Sequence, residues 1–188
     1  MVGFKGKLQH FHQFMPNKRH ARFGVKVWCL STGYMYSFET FKGANDPDDR
    51  HEYGATYSLV MRMMTTANLQ HMGYHLGLDK YFTSPRLFIE LFNSHTPATW
   101  TVRKNRKGLP SSVVNAKLQK KEVAARRKNN LLCVAYNDNT RQPILLSKYA
   151  KAGFVDTTSS KVKTRNLPNI IVECNNAMSG VDLSDARI

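Results

Sequence analysis

The chain has 188 residues, 41% of them hydrophobic, and a net charge of +15. That size and apolar content exclude a disordered tail and leave room for one core, or one core with a small insertion. No apolar run approaches the roughly 18 residues that cross a bilayer, so no membrane association is expected, while the charge favours a polyanionic partner such as nucleic acid.

Val25–Ser31 is a continuous apolar and β-branched run, which predicts a buried strand. A turn at Thr32–Gly33 and the aromatic alternation of Tyr34–Phe41 complete a β-hairpin. Gly43–Gly54 collects Asp, Asn, Pro and Gly and reads as an exposed loop. In Tyr57–Leu69 the apolar residues Leu59, Val60, Met63, Met64 and Ala67 recur at helical spacing. Gly73–Asp79 reads as a short strand ending in a carboxylate. Ser84 then caps a helix with Pro85 at its first position and Leu87, Phe88, Leu91 and Phe92 on one face. Ala98–Val102 reads as a strand, and Leu131–Tyr136 with Pro143–Tyr149 as a hairpin. A further strand is expected at Asn169–Glu173, and Asp182 and Asp185 follow one helical turn apart. Strands alternating with helices before residue 100 point to an α/β layer, and the β-rich, basic stretch beyond it to an insertion in that layer.

Three sets of residues are chemically suggestive. Cys29, Cys133 and Cys174 are odd in number and widely separated, which argues for reduced thiols serving as small buried hydrophobes and against a zinc module. Ten basic residues fall between Arg103 and Lys128, among them Arg103, Lys104, Arg106, Lys107, Arg126, Arg127 and Lys128, with Glu122 the only acid. Such a run is either a solvated loop or a phosphate-contacting surface, and its density favours phosphate. Asp79, Asp182 and Asp185 are either turn and helix-terminal acids or carboxylates converging on divalent metal. Magnesium prefers hard oxygen ligands, which suits Asp over His or Cys. Spacing alone leaves both readings open.

The stretch Gly73-Tyr-His-Leu-Gly-Leu-Asp-Lys-Tyr-Phe-Thr-Ser-Pro-Arg-Leu-Phe88 resembles the segment around the second catalytic Asp of the piggyBac transposase family. Thr101-Val-Arg-Lys-Asn-Arg-Lys-Gly-Leu-Pro110 is similar to a basic signature downstream of it, and Met178-Ser-Gly-Val-Asp-Leu-Ser-Asp185 to the third catalytic Asp with a supporting Asp three residues on. Near the start, Phe4-Lys-Gly-Lys7, Met15-Pro-Asn-Lys18 and Gly24-Val-Lys-Val-Trp28 follow the family in order and spacing. The resemblance implies an α/β, ribonuclease H-like mixed sheet. The first part of the catalytic core would fall at 1–100, a basic β-rich insertion at 101–165, and the last core strand with the start of the final helix at 166–188. It implies Asp79 and Asp182 as magnesium ligands, Asp185 assisting, and Arg103, Lys104, Arg106, Lys107, Arg126, Arg127 and Lys128 along the DNA. The implied activity is cleavage and strand transfer of double-stranded DNA at transposon ends and TTAA targets, in the nucleus, with a possible homodimer.

Two departures bear on activity. The family's strand ending in Asp-Glu precedes the Phe4-Lys-Gly-Lys7 motif, and these 188 residues begin at Met1, so the first, central strand and its catalytic Asp are expected to be missing and the chain inactive on its own. Ser179 stands where the family has Gly. The alternative is a domesticated, non-catalytic DNA-binding or protein-interaction remnant in which the acids are vestigial.

Overall fold

The computed structural model describes residues 2–3, 12–14, 16, 23–32, 34–43, 51–138, 142–148, 151–159 and 162–178. The chain divides into two compact units, one built from residues up to Asn68 and the other spanning Leu69–Met178.

The first unit contains β1 (Val2–Gly3), β2 (His12–Phe14), β3 (Phe23–Val25), β4 (Val27–Ser31), β5 (Met35–Thr40) and α1 (Ala55–Thr66). β3 pairs antiparallel with both β1 and β2, while β4 and β5 form the expected hairpin, with a register shift between Leu30 and Ser31. The single buried strand expected over Val25–Ser31 is instead two strands in two sheets, and every residue of β4 is only half-buried. The break falls at Lys26, whose ammonium lies 3.9 Å from the centroid of the Trp28 ring. A cation in the middle of the run is accommodated over an aromatic face rather than in a core. α1 follows its periodicity, burying Leu59, Val60, Met63 and Met64. On its other side Arg62 grips Glu39 of β5 with two charge-assisted bonds, both 2.6 Å.

The second unit contains β6 (Leu76–Gly77), α2 (Pro85–Asn93), β7 (Ala98–Val102), α3 (Ser111–Val114), β8 (Val123–Lys128), β9 (Leu131–Tyr136), β10 (Ile144–Ser147), β11 (Phe154–Ser159), β12 (Val162–Pro168) and α4 (Asn169–Asn176). Five strands form one mixed sheet in the order β6-β7-β10-β9-β8, with β6 and β7 parallel and the remaining pairs antiparallel. The chain is therefore a mixed α/β protein. Residue 100 lies inside β7, and the basic β-rich stretch beyond it continues the same sheet.

α2 forms as its sequence dictates. The Ser84 hydroxyl accepts from the Leu87 amide at 3.3 Å, Pro85 occupies the first turn, and Leu87, Phe88 and Leu91 are fully buried. On one face of the sheet Leu132, Val134 and Leu145 pack with Ile170 and Cys174 of α4, closed by Trp100, Val123 and Ile171. Cys133 and Leu146 sit one residue along in their strands and so face the other way, toward Pro85 and Ile89 of α2. At the edge, Gly77 is required by close approach. A Cβ there would lie 3.1 Å from both the Ala177 Cβ and the Trp100 ring.

Two local expectations are corrected. Asn169–Glu173 was expected as a strand and is the first part of helix α4. Pro168 precedes it with an extended backbone, and the (i, i+4) pair Ile170 and Cys174 is buried together, so tertiary packing of one helical face overrides a β-branched run. The stretch Val123–Lys128, for which a solvated loop was one reading, is a strand paired along its length with β9. Its turn is Asn129–Asn130, with Asn129 in the left-handed region at φ 52°. The hairpin β11–β12 was not anticipated. Because Ile170 is 1% exposed and Val172 half-buried, Ile170→Ala is expected to cost roughly 2–5 kcal/mol and Val172→Ala distinctly less, read by chemical denaturation.

Candidate nucleic-acid and metal site

Asp79 sits just past β6, between buried Leu78 and buried Thr83, and is itself exposed. Its backbone carbonyl accepts from the amides of Phe82 (2.9 Å) and Thr83 (3.3 Å) and from the Thr83 hydroxyl (3.1 Å). Its side-chain Oδ1 accepts from the Tyr81 amide at 2.7 Å. The carboxylate is thus held in an Asx-type turn that runs directly into the Ser84 cap of α2. The turn-bonding role is real, and it uses one of about four acceptor positions on an ionised carboxylate. An exposed, pre-oriented hard oxygen suits a divalent cation chemically.

The basic loop leaving β7 folds back on this turn. The Arg103 guanidinium stacks over the Tyr81 ring at 5.3 Å, and Arg106 Nη2 donates to the Tyr81 carbonyl oxygen. Arg106 Nε is buried and finds no acceptor among the described residues. Lys104 and Lys107 are exposed. Lys107 lines a cleft together with Arg126, Arg127 and Lys128, so two basic stretches separated in sequence meet in space. Arg86 and Lys148 join the same rim, neither of which was singled out from sequence. The (i, i+4) pair Arg86–Glu90, at 3.6 Å, was legible as a helix-surface pair, whereas the position of Lys148 beside the cleft follows only from strand pairing.

Thr99 of β7 centres a polar cluster that the sequence did not signal. The buried Thr99 hydroxyl is 2.7 Å from the Ser147 hydroxyl, 2.9 Å from His75 Nε2 and 3.4 Å from Glu173 Oε2. A hydroxyl donates once and accepts twice. All three contacts are satisfied when Thr99 donates to Glu173 while His75, as the Nε2–H tautomer, and Ser147 donate to Thr99. Partial burial of the ring lowers the pKa of His75, which favours its neutral form. Burial raises the Glu173 carboxyl above its ordinary 4.5, opposed by the Thr99 hydrogen bond. Cys133 and Cys174 are buried and pushed up to about 11, so both thiols stay protonated near neutrality and act as core residues.

Asp182 and Asp185 lie outside the described residues, as do Phe4–Lys7, Met15 and Asn17–Lys18. Among the described residues no group of three or more His, Cys, Asp or Glu is placed to hold a metal ion.

The whole chain, residues 1–188, matches the family model described as Transposase IS4. It is 33% identical to human PiggyBac transposable element-derived protein 3 over 94% of its length, and 35% identical to human PiggyBac transposable element-derived protein 2 over 55%. The chain belongs to the transposase IS4 family, piggyBac type. It spans 32% and 17% of those two relatives, so they are much longer proteins. A piggyBac transposase in a synaptic complex with hairpin DNA, solved by cryo-EM, superposes over 95% of this chain and 36% of its own with a TM-score of 0.75. At 20% identity that likeness establishes a shared fold.

Glu173 gives the site a pH signature. The folded state holds the Glu173 proton more tightly than the unfolded chain, so its contribution to stability is full below pH 4.5 and is lost as pH rises through the raised value. Glu173→Gln keeps an acceptor for Thr99 and removes the buried charge. It is expected to raise the melting temperature at pH 7, with the gain shrinking toward zero below about pH 4.5.

Proposed function

We propose that these residues form part of a piggyBac-type DNA transposase of ribonuclease H-like architecture, acting in the nucleus on double-stranded DNA at transposon ends and TTAA targets. The observation that supports it is the Asp79 turn: an exposed carboxylate fixed by Tyr81, with Arg103 and Arg106 on that same Tyr81 and further cations beyond. Phosphoryl transfer through a densely charged strand needs this pairing of hard oxygen ligands and nearby cations.

Asp79 and Asp182 would hold magnesium, with Asp185 assisting. When bound, that metal supplies activation of an attacking hydroxyl and charge neutralisation at the leaving oxygen. The rest falls to the chain's own residues. Arg103, Lys104, Arg106 and Lys107 position the backbone by its phosphates, and Arg126, Arg127 and Lys128 extend the contact. The Asx turn keeps the Asp79 carboxylate from rotating away. The whole protein acts as a homodimer in this reading.

A second reading has one observation in its favour. The Asp79 carboxylate already serves the turn through Tyr81, so it has a structural use in a non-catalytic DNA-binding remnant. Cleavage separates the two.

Two outcomes are expected. These 188 residues, expressed alone, give no magnesium-dependent excision product above background from a TTAA-flanked donor plasmid, and robust excision would contradict this. They do bind a duplex oligonucleotide. The triple variant Arg103→Ala, Lys104→Ala, Lys107→Ala weakens binding and reduces the slope of log affinity against log salt by about 2 to 3, read by fluorescence anisotropy. Absence of duplex binding at low salt would defeat the reading.

A further inference from the structure

Two histidines apart from the Asp79 turn meet ahead of the paired strands β6 and β7. His71 Nδ1 and His95 Nδ1 lie 3.1 Å apart and their ring centroids 5.3 Å apart, although the residues are separated by 24 positions. His71 precedes β6, His95 precedes β7, and both residues are exposed.

The backbone makes this meeting at a cost. His95 lies just beyond α2 in the left-handed region at φ 53°, and His71 is left-handed as well at φ 62°. The His95 amide donates to the Phe92 carbonyl at 3.0 Å and the Thr96 amide to the Leu91 carbonyl at 2.8 Å. That is a helix-ending motif in which glycine or asparagine usually stands where His95 does. The His71 amide donates to the Ser94 carbonyl at 2.8 Å. Main-chain bonds therefore hold both residues in place, so the fold delivers the two rings to each other. Side chains kept on unfavourable backbone of this kind gather at ligand clamps.

An exposed pair sharing one Nδ1–H gains little from that bond in water. A divalent cation gains more from it. Two imidazole nitrogens bound to one ion at about 2.0–2.1 Å stand about 3.3 Å apart at a tetrahedral angle and about 2.9 Å apart at a right angle. The observed 3.1 Å is therefore a separation suited to two ligands of one metal. The ring that carries its proton on Nδ1 moves it to Nε2, so both bind as neutral imidazoles and no net proton is released. The last turn of α2 has no basic residue, and the negative pole of that helix beside His95 favours a cation. Imidazole selects zinc over magnesium or calcium, which prefer hard oxygen. Among the described residues no third His, Cys, Asp or Glu joins the pair, so water completes the coordination.

We infer that His71 and His95 form a two-histidine zinc site that clips the segment leading into β6 to the end of α2. β6 meets β7 through two residue pairs, Leu76 with Ala98 and Gly77 with Thr99. A metal cross-link just ahead of that short ladder steadies it, and Asp79 follows two residues beyond its end. The inference is independent of the DNA reading.

The test is a zinc chloride titration of the 188-residue protein in millimolar magnesium, read by long-range proton–nitrogen NMR of the histidine rings and by thermal melting. One equivalent of zinc is expected to move the Nδ1 resonances of His71 and His95 together. Excess zinc is expected to raise the melting temperature, and EDTA to reverse the rise. His71→Ala should weaken zinc binding roughly hundredfold, because the remaining imidazole loses a partner held at high effective concentration. His95→Gly suits the left-handed position, so it is expected to keep the fold while losing the zinc-dependent melting shift, which separates the site from the structure around it. Nδ1 resonances that stay in place at one equivalent, saturation of other histidines before this pair, or a melting shift that survives in both variants each overturns the site.

Discussion

Asp79 is exposed, so no hydrophobic contact of its own fixes where its carboxylate points, and its position depends on strand β7. Upstream of Asp79, Leu76 and Gly77 pair parallel with Ala98 and Thr99 of that strand. Downstream, the loop that follows β7 sends Arg103 over the Tyr81 ring and Arg106 to the Tyr81 carbonyl. One strand and the loop it feeds therefore hold the Asp79 turn on both sides. The remainder of the sheet, through β10, β9 and β8, brings the second basic stretch to the same loop.

β7 is anchored in turn by chemistry rather than by burial alone. Thr99 gathers Ser147 from the neighbouring strand, Glu173 from α4 and His75 from the segment leading into β6. A buried hydroxyl left without partners costs about 1–3 kcal/mol, and here all of its capacity is used. The cluster ties the strand before Asp79 to α4, which ends at Asn176, six residues short of Asp182 in sequence. The strand that leads to Asp79 is thus joined to a polar hub with its own pH dependence.

Much of this was legible where a pattern has one physical solution. Ser84-Pro85 followed by Leu87, Phe88 and Leu91 admits little besides a capped helix, and the Leu131–Tyr136 run with its partner strand forms the hairpin as expected. Residues 169–173 misled because a β-branched run suits either state, and only the pocket formed by Leu132, Val134 and Leu145 selects the helical face of Ile170 and Cys174. Val123–Lys128 hid as a strand because its exposed half is basic, although Asn129–Asn130 is a turn signal in plain view. The Thr99 hub has no signature at all, since Glu173 lies 74 positions from Thr99 and the members meet only through the folded sheet and α4.

The basic stretches and the acids are common residues that gain meaning by convergence. Around Asp79 the convergence of Tyr81, Arg103 and Arg106 follows from how β7 and its loop fold back on the turn. The central claim extends it to Asp182, as the second carboxylate of one divalent-cation site. The direct measurement is an experimental structure with duplex DNA and manganese, the metal located by anomalous scattering. The expected result is a manganese ion with carboxylate oxygens of both Asp79 and Asp182 at about 2.1–2.2 Å. Oxygens of the two side chains more than about 8 Å apart in that complex would contradict it.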